Sequence, residues 1–149
     1  MNNMDARSAW DFCQRLSHKI ISNKHVLYTE QLSHLDKQRA IEVVQRLNFA
    51  VNENLTATAG CANYKTYGVE LSGPIFQKTY VLAQVIDTIL HEIAHHLAFR
   101  VNAERGHGEH WIMWAEMIGC SAERTHTMPR ARRKTKAQAA LSLRNTLKL

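Results

Sequence analysis

Apolar positions recur at helical spacing toward both ends of the chain and at strand spacing in a short middle stretch. Trp10, Cys13, Leu16 and Ile20 form one helical stripe, and Ala40, Val44 and Leu47 form another, because residues three or four apart stack on one face of a helix. Asp5 and Thr29 are placed as caps. Phe49 and Val51 then alternate with polar neighbours, and Asn52 to Asn54 offers a turn. Thr56 to Tyr64 and Tyr67 to Leu71 read as short strands joined at Lys65-Thr66, and Ser72-Gly73-Pro74 ends the strand region. A long, rather apolar helix is predicted from Thr79 to Val101, followed by a polar loop, Asn102 to Gly108, with two glycines. Glu109 to Ile118 reads as another helix, with Gly119 placed to stop it. Ala140, Leu143 and Leu147 give a last helical stripe. Helices, a small antiparallel sheet, then helices: the order predicts an α+β domain.

The length of 149 residues suits one ordinary domain with a core of its own. No stretch approaches the roughly 20 apolar residues of a membrane helix, and Met1 to Trp10 lacks the apolar centre of a signal peptide, so the expected location is cytoplasmic. Cys13, Cys61 and Cys120 are far apart and form no C-x-x-C pair, which argues against a disulfide framework or a cysteine zinc ribbon. The charge is uneven. Residues 1–129 hold twelve Lys and Arg against all thirteen acids, whereas residues 130–149 hold seven cations and no acid. The division is therefore a body, 1–129, and a basic tail, 130–149. Arg130, Arg132, Arg133, Lys134 and Lys136, with Arg144 and Lys148, suit a salt-sensitive contact with the phosphates of DNA. The same tail also suits a solvated terminus that aids solubility.

Nine histidines are the anomaly in composition, and their placement gives them meaning. His91-Glu92-Ile93-Ala94-His95 matches H-E-x-x-H. Two imidazoles four residues apart lie one above the other on a helix and can share a zinc ion at about 2.0–2.1 Å. Glu92, one position on, reaches the edge of such a site, where a carboxylate can take a proton from water. The preceding apolar segment, Val81 to Leu90, puts these polar groups on a core helix, where they need partners. Asp87, four residues before His91, either orients its ring or solvates the helix. A catalytic zinc takes three protein ligands and keeps a place for water. His107, in Arg105-Gly106-His107-Gly108, is the leading third ligand, since its flanking glycines let the chain bend back. His110, Glu104 and Glu116 remain alternatives. His96 points off this face and reads as structural. His18, His25, His34 and His126 have no useful spacing, and Trp111 and Trp114 read as core packing of the last helix.

Together these segments resemble the SprT-like metallopeptidases, the family of Spartan. Thr58-Ala59-Gly60-Cys61-Ala62 looks like the family's first strand and Val69-Glu70-Leu71-Ser72 like its edge strand. Thr88-Ile89-Leu90-His91-Glu92-Ile93-Ala94-His95 is close to its active-site helix. Gly106-His107-Gly108-Glu109-His110-Trp111 resembles its third-ligand motif. The likeness covers about residues 40–120 in the family's order. It implies a small zincin-like domain, one catalytic zinc ion on His91, His95 and His107, and Glu92 as catalytic acid/base. It also implies peptide-bond hydrolysis in proteins bound or crosslinked to DNA. The cysteine ribbon that many members carry after this domain has no counterpart here, so DNA contact falls to the basic tail. The strand Tyr67 to Leu71 reads either as the edge that takes a substrate strand or as a plain sheet edge. The competing functional class is a zinc-containing module that binds DNA or protein without turnover, and the presence of Glu92 argues for the enzyme.

Overall fold

The computed structural model describes residue 15, residues 32–76 and residues 82–120. The stripe from Trp10 to Ile20, the caps Asp5 and Thr29, and the basic tail lie outside the described residues.

Helix α1 spans His34–Arg46. Ser33 caps it, its hydroxyl accepting from the Asp36 N–H at 3.0 Å. Asp36 in the first turn and Arg46 in the last suit the helix dipole. The buried face is Ala40, Val43 and Val44; it holds Ala40 and Val44 of the predicted stripe, whose third member, Leu47, is buried just past the helix end. Leu47 is extended and turns the chain directly into β1, Asn48–Asn52. Its inward residues, Phe49 and Val51, enter the core while their neighbours stay outside.

Strands β2, Gly60–Asn63, and β3, Gly68–Ser72, form a hairpin. Its turn is tied by side chains: Asn63 accepts from the Lys65 N–H at 3.1 Å, and Thr66 from the Gly68 N–H at 3.0 Å. Asn52 makes the same kind of bond to the Asn54 N–H, which gives the turn expected at 52–54. Residues 56–59 are loop rather than strand.

The sheet order is β1-β3-β2, and this corrects two expectations. The sheet is mixed, not wholly antiparallel: β2 runs antiparallel to β3, but β1 runs parallel to it. The chain reverses between β1 and β2 and again between β2 and β3, so β3 has the direction of β1. Because β3 inserts between its two predecessors, it meets β1 in parallel. It is therefore the central strand, and Tyr67 to Leu71 is not a free edge. Among the described residues, the free edge nearest the long helix belongs to β2.

Ser72 ends β3 and caps the next helix. Its hydroxyl accepts from the Ile75 N–H at 3.0 Å and donates to the Leu55 carbonyl, fixing the short helix α2, Gly73–Phe76. The long helix α3, Leu82–Asn102, runs through the domain and packs on α1, β2, β3 and α4, Glu109–Ile118. Its Val85, Ile89, Ile93, Ala94, Leu97 and Ala98 are buried with Trp111 and Trp114 of α4. Gly119 closes α4 in the left-handed conformation (φ 88°), as expected. No helix among the described residues is long and apolar enough to cross a membrane. The α+β class thus holds, with the helices and the small sheet sharing one core.

The chain reverses sharply after α3. The Ala103 N–H donates to the Phe99 carbonyl and the Glu104 N–H to the Ala98 carbonyl, both at 3.0 Å. This is a left-handed helix stop with alanine where glycine is usual (φ 55°). A Cβ in that conformation costs about 1 kcal/mol. Ala103→Gly is therefore expected to stabilise the domain by roughly 0.5–1 kcal/mol, read as a higher midpoint in urea or heat denaturation. An unchanged or lower midpoint would show that the turn carries no strain.

Candidate metal centre

Helix α3 places His91 and His95 one turn apart, both buried. The turn at Ala103 sends the chain back, and Gly106, at φ 85°, bends it again toward the helix. His107 then lies over the two helix histidines. Its Nε2 is 3.0 Å from Nε2 of His91 and 3.1 Å from Nε2 of His95. The three offer nitrogens that all lie within 4.8 Å of one another.

Protein hydrogen bonds satisfy this cluster poorly. His107 Nε2 has either one proton or one lone pair to serve two neighbours. A single cation between the rings satisfies all three nitrogens. Bonds of about 2.0–2.1 Å in tetrahedral geometry put ligand nitrogens about 3.3 Å apart, within a few tenths of an ångström of the two spacings from His107. Three neutral imidazoles suit zinc among the divalent ions. The cluster can therefore hold a metal ion and is compatible with zinc. Trp111 forms the floor. Its ring lies 4.8, 5.6 and 4.6 Å from those of His91, His95 and His107, and its Nε1 donates to the His91 carbonyl at 3.2 Å. The reading of Trp111 as core packing is incomplete, because it also braces all three histidines. Trp114 is buried as expected and donates to Asn102 at 2.7 Å.

The alternative ligands are occupied elsewhere. Glu104 accepts from the backbone N–H groups of His110 and Trp111, both at 3.1 Å, and lies 2.7 Å from His110 Nδ1. It caps α4 from outside, where the formal cap residue, Gly108, has no side chain to do so. Desolvation is the largest single influence on the Glu104 carboxyl and pushes it up, but the hydrogen bonds from His110 and Trp111 with the His110 charge together outweigh it and hold it below the ordinary value. A Cβ on Gly108 would meet Glu104 Oε1 at 2.6 Å. Gly106 is thus needed for its backbone angle, and Gly108 for the space that the cap occupies. Glu116 is exposed on α4.

Glu92 is buried, and desolvation pushes its carboxyl from 4.5 up to about 8. A bound cation would work the other way by favouring the carboxylate. Strand β2 comes close here: a Cβ on Gly60 would meet Thr88 Cγ2 at 2.9 Å and Glu92 Cγ at 3.1 Å. Desolvation, with the neighbouring His91, His107 and His96, takes His95 from 6.5 down to about 3. Tyr64, in the hairpin turn, stands edge-on to His95 with ring centres 6.5 Å apart. Burial and the Glu92 charge push its phenol up. Nothing in the spacing of the sequence marks Tyr64 or Gly60 as neighbours of the site. His96 is structural, as expected, with Nε2 2.7 Å from the Gly68 carbonyl. Asp87 is half-buried, and its carbonyl lies 3.7 Å from the Cys120 thiol. Cys61 and Cys120 are free thiols.

The model of the SprT-like family matches residues 15–135 of the chain. No curated protein and no solved structure gives a significant match.

His107→Ala should lose the metal at micromolar zinc, whereas His110→Ala should keep it and lose about 1 kcal/mol of stability with its Glu104 contact. Metal analysis with denaturation distinguishes the two, and metal retained by His107→Ala would refute this ligand set. A second expectation concerns the metal-free protein. The raised Glu92 pKa makes the native state hold a proton that the unfolded chain releases, so stability falls as pH rises from 4.5 to about 8. The lowered His95 pKa acts oppositely between about 3 and 6.5. Above 6.5 the Glu92 slope remains, about 1 kcal/mol per pH unit. Denaturation from pH 6.5 to 8 should show that decline in wild type and not in Glu92→Gln.

Proposed function

Because the chain belongs to the SprT-like family, we propose that this metallopeptidase-like domain is an active zinc endopeptidase that cuts proteins bound or crosslinked to DNA. The observation that carries the reading is a buried carboxylate, Glu92, beside three histidines whose nitrogens converge on one point. A structural zinc site would be closed by a fourth protein ligand. Among the described residues the candidate ligand group is these three histidines, which leaves a position for water.

In this reading His91, His95 and His107 hold the ion. When bound, it supplies Lewis acidity that polarises a peptide carbonyl and acidifies water at neutral pH. Glu92 takes a proton as the water oxygen bonds to the carbonyl carbon. It then passes that proton to the amide nitrogen as the C–N bond breaks, leaving an amine and a carboxylic acid, whose remaining proton is lost at neutral pH. Burial keeps bulk water from competing for the proton, and Gly60 allows β2 to approach Glu92 closely. Trp111 holds the imidazoles in place from below. Among the described residues the outer edge of β2, near Glu92, pairs with no other strand, so an extended peptide is expected to add there as a further strand. The basic tail, Arg130 to Lys148, supports DNA as the partner that brings substrates close.

The test compares wild type with Glu92→Gln on a DNA-binding protein, with and without DNA. Cleavage should fall by about 10²- to 10⁴-fold in the variant while stoichiometric zinc is retained. Equal turnover would refute the general-base role. A zinc-loaded wild type without activity on any protein substrate would favour a binding module.

A further inference from the structure

A groove of about 390 Å³ runs between α1 and the C-terminal end of α3. Arg39, Glu42 and Arg46 of α1 line it, with Phe99 and Arg100 of α3 and Tyr67 of the hairpin. None of them belongs to the histidine cluster. Arg39, Glu42 and Arg46 follow one helix face, and the two arginines are separated by about 10 Å along the axis. Three guanidiniums therefore share a groove with one carboxylate, and among the described residues none of the three is ion-paired.

Arg100 is held in advance. Its Nε donates to His96 Nδ1 at 3.4 Å, and one terminal nitrogen donates to the carbonyls of Tyr64 at 3.1 Å and Thr66 at 2.5 Å. These partners are neutral, so its positive charge is fixed in place without being cancelled. Its other terminal nitrogen is left for a ligand. The guanidinium carbon sits 3.6 Å from the centre of the Tyr67 ring. Arg46 donates to the Tyr67 hydroxyl at 3.4 Å.

We propose that this groove is a binding site for the phosphodiester backbone of a DNA strand, with phosphates lying across Arg39, Arg46 and Arg100. The proposal rests on the reading that substrates are DNA-bound, and it puts a DNA contact on the folded body as well as on the tail. Planar guanidiniums suit phosphate oxygens, and Arg100 is already fixed in place. The groove is open rather than enclosed, which fits a polymer passing across it better than a small ligand that would be largely buried. Its aromatic surface is already covered by arginine: Arg100 lies over Tyr67, and Arg105 lies 4.9 Å over Phe99 and 5.4 Å over Tyr64. Bases have no free ring to stack on, so the contact reads backbone and not sequence. Arg105 also continues the positive surface toward Tyr64, which stands beside His95. A strand in the groove would therefore present a protein attached to it near the metal centre.

The test is fluorescence anisotropy of a labelled oligo-dT with the full, zinc-loaded chain across a range of salt. Arg39 and Arg46 are exposed, so Arg39→Gln/Arg46→Gln should fold, as circular dichroism and zinc content would verify. The double variant should bind about tenfold more weakly, and its slope of log affinity against log salt should shrink by roughly 1.4. Glu42→Gln, which removes the groove's one carboxylate, should bind a few-fold more tightly. Both effects should persist when Arg130, Arg132 and Arg133 are replaced by Gln. A double variant that binds like wild type, while the tail variant loses binding, would overturn the groove and leave the DNA-bound-substrate reading standing. A wild type that fails to bind oligo-dT at low salt would overturn both. Competition by inorganic phosphate as effective as the oligonucleotide, phosphate for phosphate, would mark a free-phosphate site and overturn the assignment to a strand.

Discussion

Three imidazole nitrogens within 4.8 Å of one another, with that of His107 3.0 and 3.1 Å from the other two, are held together in a largely buried place, and the surrounding structure is arranged around that convergence. Neutral rings with their edges turned to one point gain little from one another, and burial makes protonation costly, as the depressed His95 shows. The fold must supply the rigidity that hydrogen bonds among the rings do not. Trp111 supplies much of it. Its ring touches all three histidines and its N–H holds the α3 backbone at His91. Since Trp111 is fully buried in the same core as Ile89 and Ile93, hydrophobic packing of α3 on α4 sets the positions of the nitrogens.

The third histidine depends on a short stretch of backbone with little slack. Ala103 and Gly106 both adopt left-handed angles, and together they fold the chain back over α3. Glu104 then fastens the far side of the loop by capping α4 and contacting His110. Two of the three residues that compete with His107 for the role of ligand by chemistry alone are the ones that anchor its loop. Glu104 and His110 serve each other and the helix end, and this frees His107 to face the cluster.

Much of this is legible from spacing, and the failures have physical causes. Regular periodicity gives the ranges of α3 and α4 to within about three residues and the existence of α1 but not its ends, since an amphipathic or apolar helix records its buried face directly. The HExxH spacing gives two of the clustered histidines, because a helical turn is a local property. The sheet order is not legible. Strand direction and pairing partner are set by long-range packing, and alternation looks the same whether β3 lies at an edge or in the centre. The role of Gly108 escapes the sequence for a related reason. A glycine is silent about whether its missing side chain serves a backbone angle or makes room for a neighbour, here the Glu104 carboxylate. Tyr64 and Gly60 reach the site through the β2–α3 contact, which no local pattern encodes.

Helix α3 carries two adjacent stripes, and the distinction between them organises the molecule. His91 and His95 face α4 and the returning loop. Glu92, His96 and Arg100, also four apart, follow the hairpin: Gly60 packs on Glu92, the Gly68 carbonyl lies at His96, and the carbonyls of Tyr64 and Thr66 accept from Arg100. The same contacts that seat the sheet on the helix therefore bury Glu92, with its raised proton affinity, beside the histidines. They also pin Arg100 at the mouth of the arginine groove. A shift of the hairpin along α3 would alter the surroundings of Glu92 and the position of Arg100 together, because one stripe carries both. On the proposed readings, the proton-transfer residue and the strand-binding cation are thus two ends of a single helix–hairpin interface, and coupling between them needs no moving part beyond that interface.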